Sequence, residues 1–252
     1  MGLVMTESKS GKGSFPTTDW GLLGDVRGSN TEAKHAALDI LIRRYWKPVY
    51  LFLRHSGREE EAAKDSTQGF FANWIENDSF AKADKDRGRF RSFVLASLKR
   101  FVANEHRAAY AQKRRPSAGL LSLDELMDNV DVPFDPADNM TPEMIFDKSW
   151  ASEVIQRVLR HYEQECKTTD KLVHYDIFSR RIIKPILEGA DESSYADLAR
   201  VHRITEKQAA NHLLTAKRAF QRLLKEEIRL YAESEAEVSE ETRAIFRILG
   251  QK

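Results

Sequence analysis

The segment Ser193–Leu224 (SSYADLARVHRITEKQAANHLLTAKRAFQRLL) has little freedom in how it can fold. Thr205, with Gln208 three residues on, is a capping box, and it starts a helix at Glu206. At about 100° per residue, Ala209, Leu213, Ala216, Phe220 and Leu223 fall into one narrow apolar stripe. A stripe of that kind must be covered. Tyr195, Leu198, Ala199 and Val201 supply a first apolar helix, and His202-Arg203-Ile204 supplies the turn between them. The unit is a helix-turn-helix. Its one poor fit is Arg203, which stands where a positive φ favours Gly or Asn.

The opposite face of the second helix carries Lys207, Gln208, Asn211, Thr215, Arg218 and Arg222, with no carboxylate between Glu206 and Leu224. A solvated helix usually mixes Glu with Lys there. Amides can pair bidentately with adenine, and arginine with guanine or phosphate, so these side chains suit duplex DNA. Plain packing is the competing reading, because helix-turn-helix geometry also arises without any ligand.

Charge along the rest of the chain is blocked. Arg87–Arg115 holds nine Lys or Arg and one acid, Glu105. Ser117–Asp147 holds eight acids and no Lys or Arg. Arg200–Lys225 holds seven basic residues and one acid, and Glu226–Glu241 holds seven acids and one Arg. An ordinary solvated surface intersperses the signs. Within the first basic block, Arg100, Arg107 and Arg114 recur every seven residues, close to two turns, and stack into one line. Such a line can track a phosphate backbone. Arg91, Lys99 and Arg115 lie nearby in sequence.

Apolar residues recur at three- and four-residue steps, and β-branched runs of period two are absent, so the chain is expected to be all-α. Residues 1–18 are polar and Gly/Ser-rich and are expected to be disordered. A short helix is expected over Asp19–Arg27. A long helix then runs from Asn30 or Thr31 to about Arg54 on Ala37, Ile40, Leu41, Tyr45, Val49, Phe52 and Leu53, with a kink or break near Trp46-Lys47 because Pro48 follows. A helix over Glu59–Glu76 offers Ala62, Phe70, Phe71, Trp74 and Ile75 for burial. Asn77–Gly88 reads as a polar loop. A helix from Arg89 to about Gln112 turns Phe90, Val94, Leu98 and Phe101 inward. Pro116 ends it, and 117–141 is an acidic, flexible linker. Thr141-Pro142-Glu143 opens a helix to about Cys166. Another spans Leu172–Leu187, bent near Pro185. The tail 232–252 offers a short helix capped by Ser239.

This layout resembles the alternative sigma factors of bacterial RNA polymerase, of the compact extracytoplasmic-function type. Arg44–Arg54 (RYWKPVYLFLR) and Glu59–Glu76 (EEEAAKDSTQGFFANWIE) are similar to two core helices of that family's promoter-melting domain. Asp65, Gln68 and Phe71 match its Asp-Leu-x-Gln-x-x-Phe pattern. Gly88–Arg115 is similar to the helix that opens on a Phe-Arg step and ends in an arginine run. Ser193–Leu224 is similar to the promoter-reading domain. The departures are Ser66 for Leu, Gly69 for the Glu after the Gln, and Arg203 for the turn Gly.

The resemblance implies two small helical domains: a promoter-melting, polymerase-clamp-binding unit over 19–116 and a helix-turn-helix unit over 142–231. It implies docking on core RNA polymerase through Asp65, Gln68, Phe71 and Trp74. It implies duplex reading of an upstream element by the face from Lys207 to Arg222. It also implies capture of a melted strand, for which Asn77, Asp78, Ser79, Phe80 and Lys82 in the loop are candidates, with Arg91, Lys99, Arg100, Arg107, Arg114 and Arg115 holding the backbone. An anti-sigma factor is a further candidate partner.

Rival classes fare worse. The seven histidines show no metalloprotease spacing, and there is no phosphate-binding glycine loop or nucleophile elbow, so no enzyme, cofactor or small-molecule substrate is expected. Cys166 is the single cysteine, which excludes an internal disulfide and a cysteine-based zinc site. A helix-turn-helix regulator acting without polymerase is the alternative. No apolar run reaches the roughly 20 residues of a membrane span, and the N-terminus lacks a signal-peptide core, so a cytoplasmic protein is expected.

Overall fold

The computed structural model describes residues 28, 31–82, 89–109, 140–230, 232 and 234–250, with backbone alone at 81 and 106–109. All regular structure among these residues is helical. The expected helix over Asp19–Arg27, the N-terminal segment and most of the linker lie outside the described residues.

Helix α1 spans Thr31–His55 and α2 spans Glu60–Glu76. A 3-10 turn over Ser79–Lys82 follows, then α3 over Phe90–Ala109. Helix α4 spans Pro142–Thr168; Thr141 caps it by accepting from the Met144 N–H at 3.2 Å. Helix α5 (Leu172–Phe178) passes through one π turn, Ser179–Ile183, into the short α6 (Lys184–Leu187). Helices α7 (Tyr195–His202), α8 (Glu206–Arg229) and α9 (Glu235–Leu249) complete the chain.

Two long helices organise the packing. Helix α1 lies along α4, and the same α4 also receives α5, α8 and α9. Ion pairs fasten these contacts: Lys47 to Glu153 at 3.2 Å, Arg157 to Glu227 at 2.9 Å, and Lys99 to Glu143 at 2.8 Å. One buried apolar cluster runs from Ala37 through Leu98 to Ile145 and on to Ile245. The residues before and after the acidic segment therefore share a core.

Several local expectations are corrected. Helix α1 runs unbroken through Pro48. Proline removes one backbone bond, but burial of Tyr45, Trp46, Val49, Tyr50, Leu51, Phe52 and Leu53 holds the helix together around it. Those residues point in every direction, because α1 is covered by α2 on one side and α4 on another. On α2, Ala63 is buried and Ala62 is exposed. The loop after α2 is not wholly polar, since its 3-10 turn places Phe80 in the core, edge-on to Trp74 at 4.6 Å. Where a bend near Pro185 is expected, the helix passes through a π turn, in which the Lys184 N–H bonds the Ser179 carbonyl. The final helix is capped by Ser234, which accepts from the Glu237 N–H at 3.2 Å, and not by Ser239.

Candidate nucleic-acid interface

The helix-turn-helix forms as the sequence requires. Ser194 caps α7 by accepting from the Asp197 N–H at 3.0 Å. Arg203 ends α7 with φ 55° and ψ 43°, in the left-handed region. Thr205 caps α8, accepting from the Gln208 N–H at 3.2 Å, and Gln208 Oε1 accepts from the Thr205 N–H at 2.8 Å. Ala209, Leu213, Ala216, Phe220 and Leu223 are buried as expected; on α7, Leu198 and Ala199 are buried, but Val201 is 57% exposed. A side chain in the left-handed region costs about 1 kcal/mol. Arg203→Gly is therefore expected to raise stability by up to about 1 kcal/mol, less what glycine loses in unfolded-state entropy. A shift in urea midpoint at constant slope checks it.

A second layer sets the pair on the body. The Arg181 guanidinium lies 4.0 Å over the Tyr195 ring and donates to the Ser193 carbonyl and to Glu192. Arg181 stands inside the π turn, so that turn is coupled to the start of α7. His202 Nε2 lies 2.8 Å from Asp176, which also binds Arg180. On the inner side of α8, the rings of His174 and His212 stack with centroids 4.2 Å apart.

Burial, with His212 and Lys171 adding to it, pushes the His174 imidazole below its ordinary value of 6.5. Its folded pKa is depressed, so its contribution to stability is complete above the unfolded pKa near 6.5 and is lost as pH falls through the lower folded value. His174→Phe keeps a ring against His212. Urea unfolding at pH 7.5 and 5.5 should show a smaller fall in stability on acidification for this variant than for the parent chain.

The exposed face of α8 holds all six expected residues: Lys207, Gln208, Asn211, Thr215, Arg218 and Arg222. They are not equivalent. The side chains of Lys207, Asn211 and Arg218 have no hydrogen-bond or ion-pair partner among the described residues. The Gln208 carboxamide oxygen is engaged in the capping box, so it cannot offer adenine both halves of its amide in this conformation. The Thr215 hydroxyl donates to the Asn211 carbonyl at 3.0 Å. Arg222 is held by Glu165 of α4 at 2.6 Å and by Glu226 at 3.2 Å. Leu214, 50% exposed, and Lys225, also exposed, flank the same face. Neither stands among the residues the sequence singles out, and the exposure of Leu214 next to the buried Leu213 is the signal that marks it.

The N-terminal candidates are dispersed. Asn77 caps α2, its side chain donating to the Asn73 carbonyl at 2.9 Å. Asp78 has φ 47° and pairs with Lys34 at 3.3 Å. Ser79 is half-buried and Lys82 exposed, but Phe80 is only 2% exposed and is a core anchor. Of the polymerase-facing set, Asp65 is exposed and Gln68 half-buried, while Phe71 and Trp74 are buried among Phe70, Phe80 and Phe93. Gly69 lies against α3, where an added Cβ would meet the Phe101 ring at 3.5 Å. Arg100 is exposed. Lys99 is paired with Glu143, and Arg91 is buried over Trp150. The side chain of Arg107, and all of Arg114 and Arg115, lie outside the described residues.

Cys166 is buried beside Tyr162, and burial raises its thiol pKa, which suits an inert packing role. Among the described residues no helix is long and apolar enough to cross a membrane. Comparison with known proteins finds no matching family model, no similar curated protein and no similar solved structure.

Proposed function

We propose that the chain is a promoter-recognition subunit of the sigma-factor kind, which binds core RNA polymerase and directs transcription initiation. The observation that carries this reading is the outer face of α8. A helix-turn-helix presents Lys207, Asn211 and Arg218 together, unpartnered among the described residues and clear of any carboxylate of their own face. Asn211 is placed to read a base edge, Leu214 to meet a thymine methyl, and Lys207, Arg218 and Lys225 to hold phosphates. In this reading residues 19–116 and 142–231 are the two promoter-contacting domains, joined by the acidic linker 117–141. Engaging both promoter elements then requires the contact between α1 and α4 to open on the polymerase. Exposed Asp65 and half-buried Gln68 lead the polymerase-facing set, and Phe71 and Trp74 support them from the core. Cytoplasmic location follows from the same reading.

Run-off transcription tests it. Core RNA polymerase supplied with this protein and a genomic fragment library should yield discrete transcripts that core enzyme alone does not make. Tight operator-like binding of duplex DNA by the isolated chain, with no new transcripts, would instead support a regulator that works without polymerase.

A further inference from the structure

The acidic block Glu226–Glu241 has a structural use that its sequence does not announce. Among the described residues five of its carboxylates pair with arginines: Glu226 with Arg222, Glu227 with Arg157 and Glu235 with Arg229 at 2.6 Å, and then Glu240 and Glu241. The last two reach the N-terminal half. Glu240 binds Arg89 at 2.8 Å, and Glu241 binds Arg89 at 3.0 Å and also Arg91. Helix α9 thereby closes over the start of α3, the helix that carries the first basic block.

The contact is a crowded charge cluster. Arg91 lies 4.2 Å over the Trp150 ring, with Asp147 at 3.8 Å, and its side chain is 10% exposed. Three carboxylates thus surround two guanidinium groups. Glu241 is 5% exposed, and burial pushes its carboxyl above the usual range despite Arg91 and Arg89, with Glu240 and Asp147 adding to the rise. Burial likewise raises Asp147. Desolvation offsets much of the Coulombic gain in such pairs. The cations are therefore covered by a cis partner whose own charge is poorly tolerated there.

We propose that Arg89 joins Arg91 in holding the strand, and that in the free protein helix α9 occludes the pair, Glu240 and Glu241 standing where nucleic-acid phosphates would bind. This rests on the sigma-like reading and extends it. Strand binding at the start of α3 requires α9 to leave, so the C-terminal helix competes with the melted promoter strand. Full occupancy of the site comes only where something else, such as polymerase or a high local strand concentration, displaces α9.

The test uses the full chain, a fluorescent 20-nucleotide single strand and, in parallel, a duplex of random sequence, by anisotropy across a salt series. Glu240→Gln/Glu241→Gln should bind the single strand about three- to tenfold more tightly at low salt. Its salt slope should steepen by about 1.4, the increment for two further phosphate contacts on a single strand. Adding Arg89→Gln/Arg91→Gln should abolish that gain. Glu235→Gln/Glu237→Gln changes net charge equally on the same helix and should leave single-strand affinity near that of the parent chain. A second release variant, Glu240→Gln alone, leaves the buried Glu241 in place and should give part of the gain should the double Gln variant unfold. Equal gains from the control pair, or a gain that survives loss of both arginines, would overturn the proposal in favour of a general charge effect. Unchanged single-strand binding in both release variants would also overturn it. Duplex binding that stays sensitive to Asn211→Ala would then show that the α8 reading stands without it.

Discussion

Trp150→Ala is expected to lower stability by about 3–5 kcal/mol, the usual cost of removing a buried indole. Trp150 is 4% exposed at the place where α4 meets the start of α3, with the Arg91 guanidinium on its face. The substitution removes apolar burial and a cation–π contact together. It also leaves Arg91 and Glu241 buried around a cavity. Trp150→Phe keeps most of the packing and should cost much less. Urea unfolding followed by far-UV circular dichroism gives both numbers. A midpoint that barely moves for Trp150→Ala would place that ring outside the core.

The second large effect concerns the face of α8. Asn211→Ala should remove about 1–3 kcal/mol of discrimination at one base position, roughly a five- to 150-fold change. Arg218→Ala should weaken every duplex alike and flatten the salt slope by about 0.9. Gln208→Ala should act differently. Its carboxamide closes the capping box from the N3 position while Thr205 remains, so the expected loss is about 0.3–1.5 kcal/mol of folding stability with base preference unchanged. Binding to a randomised duplex pool, sequenced after selection, separates these outcomes. A shift of preference in Gln208→Ala equal to that in Asn211→Ala would return Gln208 to the reading set.

The helix-turn-helix was legible because its determinants are local. Thr205 and Gln208 are three residues apart, and Leu213 and Phe220 repeat with the helix. Even the misfit at Arg203 was readable, and it adopts the positive φ the turn demands. What depends on distant partners was not legible. A single stripe marked one face of α1, whereas Leu38, Ile42, Trp46 and Tyr50 are buried as well because α4 covers another side. Phe80 looked like a strand-capture candidate in a polar loop, and only its packing against Trp74 shows it to be core. Arg91 and Arg222 were cations in basic blocks, and their acceptors, Glu241 and Glu165, lie 150 and 57 residues away. Sequence gives the sign of a charge but not its partner when the two are brought together by tertiary packing.

The π turn at Ser179–Ile183 amounts to one residue more than a regular helix would need between Phe178 and Lys184. One residue is about 100° of rotation. Phe178 faces the core against Phe220, while Arg181 is turned onto Tyr195 and the Ser193 carbonyl. The wide turn absorbs that rotation, so deleting one residue here would restore an ordinary helix and leave α6 in phase with α5. What such a deletion disturbs is the turn itself, and Arg181, which seats Tyr195 and the Ser193 carbonyl, stands inside it. A one-residue deletion between Phe178 and Lys184 should therefore loosen the start of α7 while the core contact of Phe178 survives, so the seat of the helix-turn-helix depends on a residue the helix could do without.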